Sequence, residues 1–171
     1  MSTYLSMANK LLSLRGAIRI TDENDNLAYE AKGEFALFSP TWTVWQGDTR
    51  RATLRRRIFA WRPTWDVQGD LGSFAIKRKI FSFRRKMYVV GGPYADASVL
   101  GNIWDLQFSI RRGDTPLAVA TGKILTLRDR HNLELLSDKP DDALFTVIAM
   151  VAVQLERKAN EKNDRFKRDN D

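Results

Sequence analysis

The chain contains one histidine, His131, and no cysteine, which narrows the chemistry open to it. A serine nucleophile needs an adjacent base, and here that base would have to be His131. It follows Arg128-Asp129-Arg130 and precedes Asn132, a turn-like setting. No G-x-S-x-G elbow is present to hold a serine, and the sharp glycine pair Gly91-Gly92 runs into Pro93. His131 is therefore expected to be a turn residue. One histidine without cysteine supplies no nitrogen and sulfur set for a metal. The run Asp22-Glu23-Asn24-Asp25-Asn26 clusters oxygen ligands, but a calcium loop also needs a central glycine and a late bidentate glutamate. Leu27 and Tyr29 follow it and read as a returning strand, so a hairpin turn is expected there. Arg112-Gly113-Asp114 matches the cell-adhesion tripeptide, yet Gly113-Asp114 falls where the repeat described below needs a turn. No phosphate-binding or dinucleotide-binding glycine pattern occurs. These residues point to a protein that is not an enzyme and uses no metal or cofactor.

The informative chemistry is charge. Between residues 50 and 86 lie twelve Lys or Arg against Asp66 and Asp70, a net +10, so the remainder carries −3 of the overall +7. A cationic region of this kind suits an anionic partner. Its core consists of Arg55-Arg56-Arg57, Lys77-Arg78-Lys79 and Arg84-Arg85-Lys86. Those nine residues are the candidate binding site, with an anionic membrane surface as the expected partner. Nucleic acid on the same face is the alternative, and a protein-interaction scaffold a third reading. Trp42, Trp45, Trp61, Trp65 and Trp104, with Phe59, Phe81 and Phe83, could stack on bases. They track the repeat, however, and are expected to line a core.

These charges are positioned by a repeating chain. Turn residues recur at 24–26, 46–48, 68–70, 91–93 and 112–114, a spacing of about 22 residues that signals internal repeats. In register with them recur KLLSL from Lys10, EFALF from Glu34, RIFAW from Arg57, KIFSF from Lys79, NIWDL from Asn102 and KILTL from Lys123. Six copies imply six units. Alternating stretches such as Thr41-Trp42-Thr43-Val44 and Thr64-Trp65-Asp66-Val67 have the period-two signature of strands. Arg55-Arg56-Arg57 and Lys77-Arg78-Lys79 occupy equivalent positions in successive units, so neighbouring hairpins should hold them at one level.

Two strands per unit give about twelve in an antiparallel meander, which removes its exposed edges by closing. About eight strands already fill their own interior, so a wider barrel needs a filling. Residues 143–155 (ALFTVIAMVAVQL) supply it, because a helix apolar on every side belongs in lipid or in a core. Thirteen residues rise only about 20 Å, short of the ~30 Å of a bilayer interior. Pro140, Asp141 and Asp142 mark the helix start, and Arg157 and Lys158 its end. A two-sheet sandwich would leave one helix face in water. The expected fold is thus mainly β, a closed barrel of about twelve strands around a C-terminal helix. It occupies residues 1–158 as a single domain, with a charged tail over 159–171 expected to fray or be disordered.

The repeated Lys10, Lys79 and Lys123 segments, the Asp22–Asn26 turn followed by Ala28-Tyr29-Glu30-Ala31-Lys32-Gly33, and the closing DDALFTVIAMVAVQLERK resemble the LURP-one-related proteins. The resemblance covers about residues 4–158 in order and spacing. These proteins share a superfamily with the Tubby C-terminal domain and the phospholipid scramblases, which implies a twelve-stranded barrel around a hydrophobic helix. Tubby domains bind phosphoinositides through basic surface residues, and scramblases act on membrane lipid. Scramblase attachment relies on an acylated cysteine-rich stretch, which this cysteine-free chain lacks. No Tubby lipid-binding residue aligns with a particular position here. The absence of cysteine, of a signal-like start and of a long apolar span sets the expected location as cytoplasmic, with peripheral contact at a membrane.

Overall fold

A computed structural model describes residues 3–10, 16–34, 39–79, 86–103, 107–124 and 131–168; the side chains of 8–10, 86, 122–124, 131 and 162–168 are not part of the description. Alternation of inward apolar and outward polar residues builds the strands. Leu5 and Met7, Ile18 and Ile20, Trp65 and Val67, Phe108 and Ile110, and Leu133 and Leu135 are buried pairs two residues apart, the spacing that puts side chains on one face of a strand. The strands are β1 (Thr3–Lys10), β2 (Ala17–Thr21), β3 (Leu27–Glu34), β4 (Thr41–Gln46), β5 (Thr49–Arg56) and β6 (Thr64–Gly69). They continue as β7 (Gly72–Arg78), β8 (Lys86–Val90), β9 (Ala97–Asn102), β10 (Gln107–Arg112), β11 (Thr115–Ile124) and β12 (His131–Leu135). Each pairs antiparallel with its sequence neighbours, and β1 pairs with β12 to close the barrel. Closure satisfies the backbone groups that an open edge would expose.

Odd-numbered strands all run towards one rim, here the upper, and even-numbered strands towards the lower. The turns read from the sequence all lie on the lower rim, where Gly47 and Gly113 adopt φ of 56° and 54°. In the turn between β2 and β3, Asp22 Oδ1 accepts from the backbone N–H groups of Asn24 and Asn26, both at 2.9 Å. These bonds, that from Asn26 foremost, hold its carboxyl below the usual value. The six repeated segments have a different address. Each begins within one residue of the end of an odd-numbered strand, so the repeat marks departures at the upper rim. The spacing of about 22 residues is two strands and both connections. His131 is the first residue of β12, paired with Met7 and Ile124, not a turn residue.

The helix α1 (Pro140–Arg168) enters from the lower rim. Pro140 takes the first helical position, where a missing N–H costs nothing. Asp142 is buried, and its carboxylate accepts hydrogen bonds from the Tyr94 hydroxyl at 2.8 Å and Ser137 Oγ at 2.6 Å. Burial first, then the bond to Asp142, pushes the Tyr94 hydroxyl well above its ordinary pKa. Phe145 stacks on the Tyr94 ring with centroids 4.2 Å apart. From Leu144 to Glu156 the helix is buried on every face. It approaches β5 and β11 most closely, which stand six strands apart in the ring of twelve and so face each other across the lumen. Inward Ala52 on β5 and Ala118 and Ala120 on β11 leave room for that approach.

The helix does not end at about residue 158: the segment read as a fraying tail continues it to Arg168. Residues 159–168 hold two Lys, two Arg, an Ala and a Glu, all good helix formers, and no Gly or Pro. An apolar face is what decides burial, but a helix already nucleated inside the barrel can propagate through good helix formers without one.

Candidate functional site at the basic rim

The upper rim brings together the two described basic triplets, 55–57 and 77–79. Register places Arg55 opposite Asp66 and Arg56 opposite Trp65 on β6, and Lys77 opposite Thr64 on the other side of β6. The Arg57 N–H donates to Thr64 O at 2.9 Å and the Arg78 N–H to Pro63 O at 3.0 Å. The two basic triplets therefore lie at one level, as the repeat implied, with β6 between them.

Strand alternation then separates their roles. Arg55 is exposed and has no ion pair with a described residue; Lys77 is half-buried, Lys79 is exposed, and both are likewise without one. Arg57 is clamped on Asp66, with Nε to Oδ2 at 3.1 Å and Nη2 to Oδ1 at 2.6 Å. Arg56 and Arg78 turn towards the mouth of the lumen. The Arg56 guanidinium stands 6.0 Å from the Trp65 ring centre, and Arg78 Nε lies 3.7 Å from Glu156 Oε2. Glu156 is buried in α1 and accepts a hydrogen bond from Trp65 Nε1 at 2.9 Å. Where α1 leaves the lumen, Lys158 lies 5.7 Å from the Trp42 ring centre. Arg84 and Arg85 lie outside the described residues, as does the side chain of Lys86, which begins β8 at this rim.

Arg55, Lys77 and Lys79 are thus the cations most available to a ligand, whereas Arg56, Arg57 and Arg78 also hold the rim together. An open groove of about 800 Å³ on the outer wall is lined by Arg55 and Arg57 but also by Glu34 and Asp66. Its mixed charge makes it a weaker anion site than the rim above it.

The aromatic expectation divides. Trp65 is buried and Trp42 packs against the core, but Phe59 is 98% and Trp61 100% exposed, with Ile58 at 50%. The core-lining reading fails for Phe59 and Trp61 because residues 57–63 form the connection between β5 and β6, not strand. Trp104, Phe81 and Phe83 lie outside the described residues. The missed signal was Arg62-Pro63: a proline there cannot donate to a strand ladder, so the apolar residues before it belong to a loop. Arg62, left out of the nine candidates, donates to the Tyr88 hydroxyl at 3.3 Å beside this loop.

No helix among the described residues is long and apolar enough to cross a membrane. Among them, too, no cluster of His, Asp and Glu could hold a metal ion. The family model described as LURP-one-related matches residues 3–154. No curated protein matches the chain.

Proposed function

The chain belongs to the LURP-one-related family, and from that premise we propose that it is a non-enzymatic protein that associates peripherally with anionic phospholipid through its upper rim. The observation that carries this reading is the register that brings Arg55, Lys77 and Lys79 to one end of the barrel. Anionic lipid is concentrated on the cytoplasmic leaflet, and each basic residue near such a surface contributes about 1 kcal/mol. A phosphate headgroup asks little of geometry beyond a cluster of exposed cations, which Arg55 and Lys79 begin to supply. Nucleic acid carries the same charge and remains the competing partner for these residues.

The test compares wild type with the triple variant Arg55→Gln, Lys77→Gln, Lys79→Gln on phosphatidylcholine vesicles, on the same vesicles containing phosphatidylserine, and on duplex DNA. Phosphatidylserine vesicles should bind wild type. The variant should bind about a hundredfold more weakly, three contacts of roughly 1 kcal/mol each. Added salt should weaken wild-type binding. Binding to DNA alone, with a steep dependence on log salt, would transfer the rim to nucleic acid. Equal binding by the variant would show that the rim is only a solvated surface.

A further inference from the structure

We propose that the connection between β5 and β6 is a membrane-inserting tip, in which Phe59 and Trp61, with Ile58, enter the lipid interface while Arg55, Arg57 and Arg62 stay at the level of the phosphates. The inference rests on the lipid reading of the same rim and adds an apolar element that charge does not supply.

Three apolar side chains within four residues are half to fully exposed. A single exposed apolar residue is ordinary, but a contiguous group framed by cations marks an interaction site. The base of the loop is held rigidly. Arg57 N–H donates to Thr64 O at 2.9 Å, Thr64 Oγ1 to Arg62 O at 2.9 Å, and the Arg57 side chain is clamped on Asp66. These bonds fix both ends of the segment that carries the tip, so part of the ordering cost is met before binding.

The charge pattern selects the occupant. Tryptophan with an apolar body and a polar N–H favours the bilayer interface, and arginines flanking it match the phosphate layer. Two copies meeting tip to tip would press like-charged collars together. A stable protein interface buries roughly 800 Å² on each partner, more than three side chains offer. A lipid surface needs no complementary pocket.

The test uses the full chain and phosphatidylcholine–phosphatidylserine vesicles with brominated acyl chains, which quench tryptophan that enters them. Trp61 is the fully exposed tryptophan among those described, Trp65 being buried. Wild type should be quenched on binding. Trp61→Phe should keep most of its affinity and lose most of the quenching. The double variant Phe59→Ser, Trp61→Ser should bind at least about tenfold more weakly, since each aromatic side chain withdrawn from lipid forfeits apolar burial. Its residual binding should also disappear at a lower salt concentration than wild type. Because both residues are exposed, its thermal melting should match wild type.

If wild type does not bind the vesicles, the lipid reading fails and insertion with it. If wild type binds but the double variant binds equally well, or bromine does not quench, insertion alone is overturned and the rim acts by charge.

Discussion

Thr146 occupies the middle of the buried helix, fully enclosed, and its Oγ1 has no hydrogen-bond partner. A buried hydroxyl without a partner costs about 1–3 kcal/mol of desolvation. Thr146→Val keeps the branched shape and removes the polar atom. It should therefore raise stability by about 1 kcal/mol, or Tm by roughly 2–4 °C in a chain of this size. Thermal melting decides it: a lower Tm would show that the hydroxyl is satisfied by the carbonyl one turn back. Glu156 makes the opposite case. It is just as buried but is matched by Trp65 Nε1 and Arg78, so the lumen tolerates a polar group where the barrel wall supplies partners. Its buried carboxylate ties β6, the strand that follows the exposed loop, and its neighbour β7 to the helix.

The helix and the strands are each incomplete alone. α1 is apolar all round from Leu144 to Val153 apart from Thr146, and that pattern makes sense only with wall on every side. Ile148→Asp would bury a carboxylate near the centre of the lumen, where no neighbouring residue of the helix offers a countercharge. Several kcal/mol of uncompensated burial compares with a total stability of about 5–15 kcal/mol. The variant should be insoluble or lack a cooperative unfolding transition in urea; a soluble protein with wild-type cooperativity would overturn the enclosed helix. Short turns with left-handed residues join strands at the lower rim, whereas the upper connection that is described throughout, between β5 and β6, exposes its apolar residues.

The whole molecule depends on closure. β1 pairs with both β2 and β12, so it is the strand that completes the ring. Removing residues 1–10 should leave β2 and β12 with unpaired edges and take Leu5 and Met7 from the core. The truncated chain should aggregate, since exposed strand edges template pairing with other chains. Size-exclusion chromatography would show it, and a monomeric, thermally stable product would mean that the barrel is not closed through β1. Charge is likewise a property of the molecule as a whole: the cationic span from 50 to 86 covers parts of β5 to β8, four adjacent staves, so the surplus falls on one side.

The barrel, its number of strands and the enclosed helix were legible in the sequence because each leaves a periodic trace: two residues for a strand, about 22 for a hairpin unit, and no polar face for an enclosed helix. The basic triplets were legible for the same reason, since equivalent places in a repeat become equivalent heights in a meander. The helix's run to Arg168 left no such trace, because its continuation past the lumen follows from helix propagation, not from an apolar pattern. The two sides of the rim were equally hidden. Arg56 and Arg78 face Trp65 and Glu156 while Arg55 and Lys79 face outward; the partner of Arg78 stands 78 residues further along the chain. Phe59 and Trp61 show the limit most clearly, being apolar residues in step with the repeat yet fully in the open. Hydrophobicity reports what a side chain gains from leaving water. Whether it is near enough to a core to do so is decided by where a strand stops, and the folded chain alone settles that.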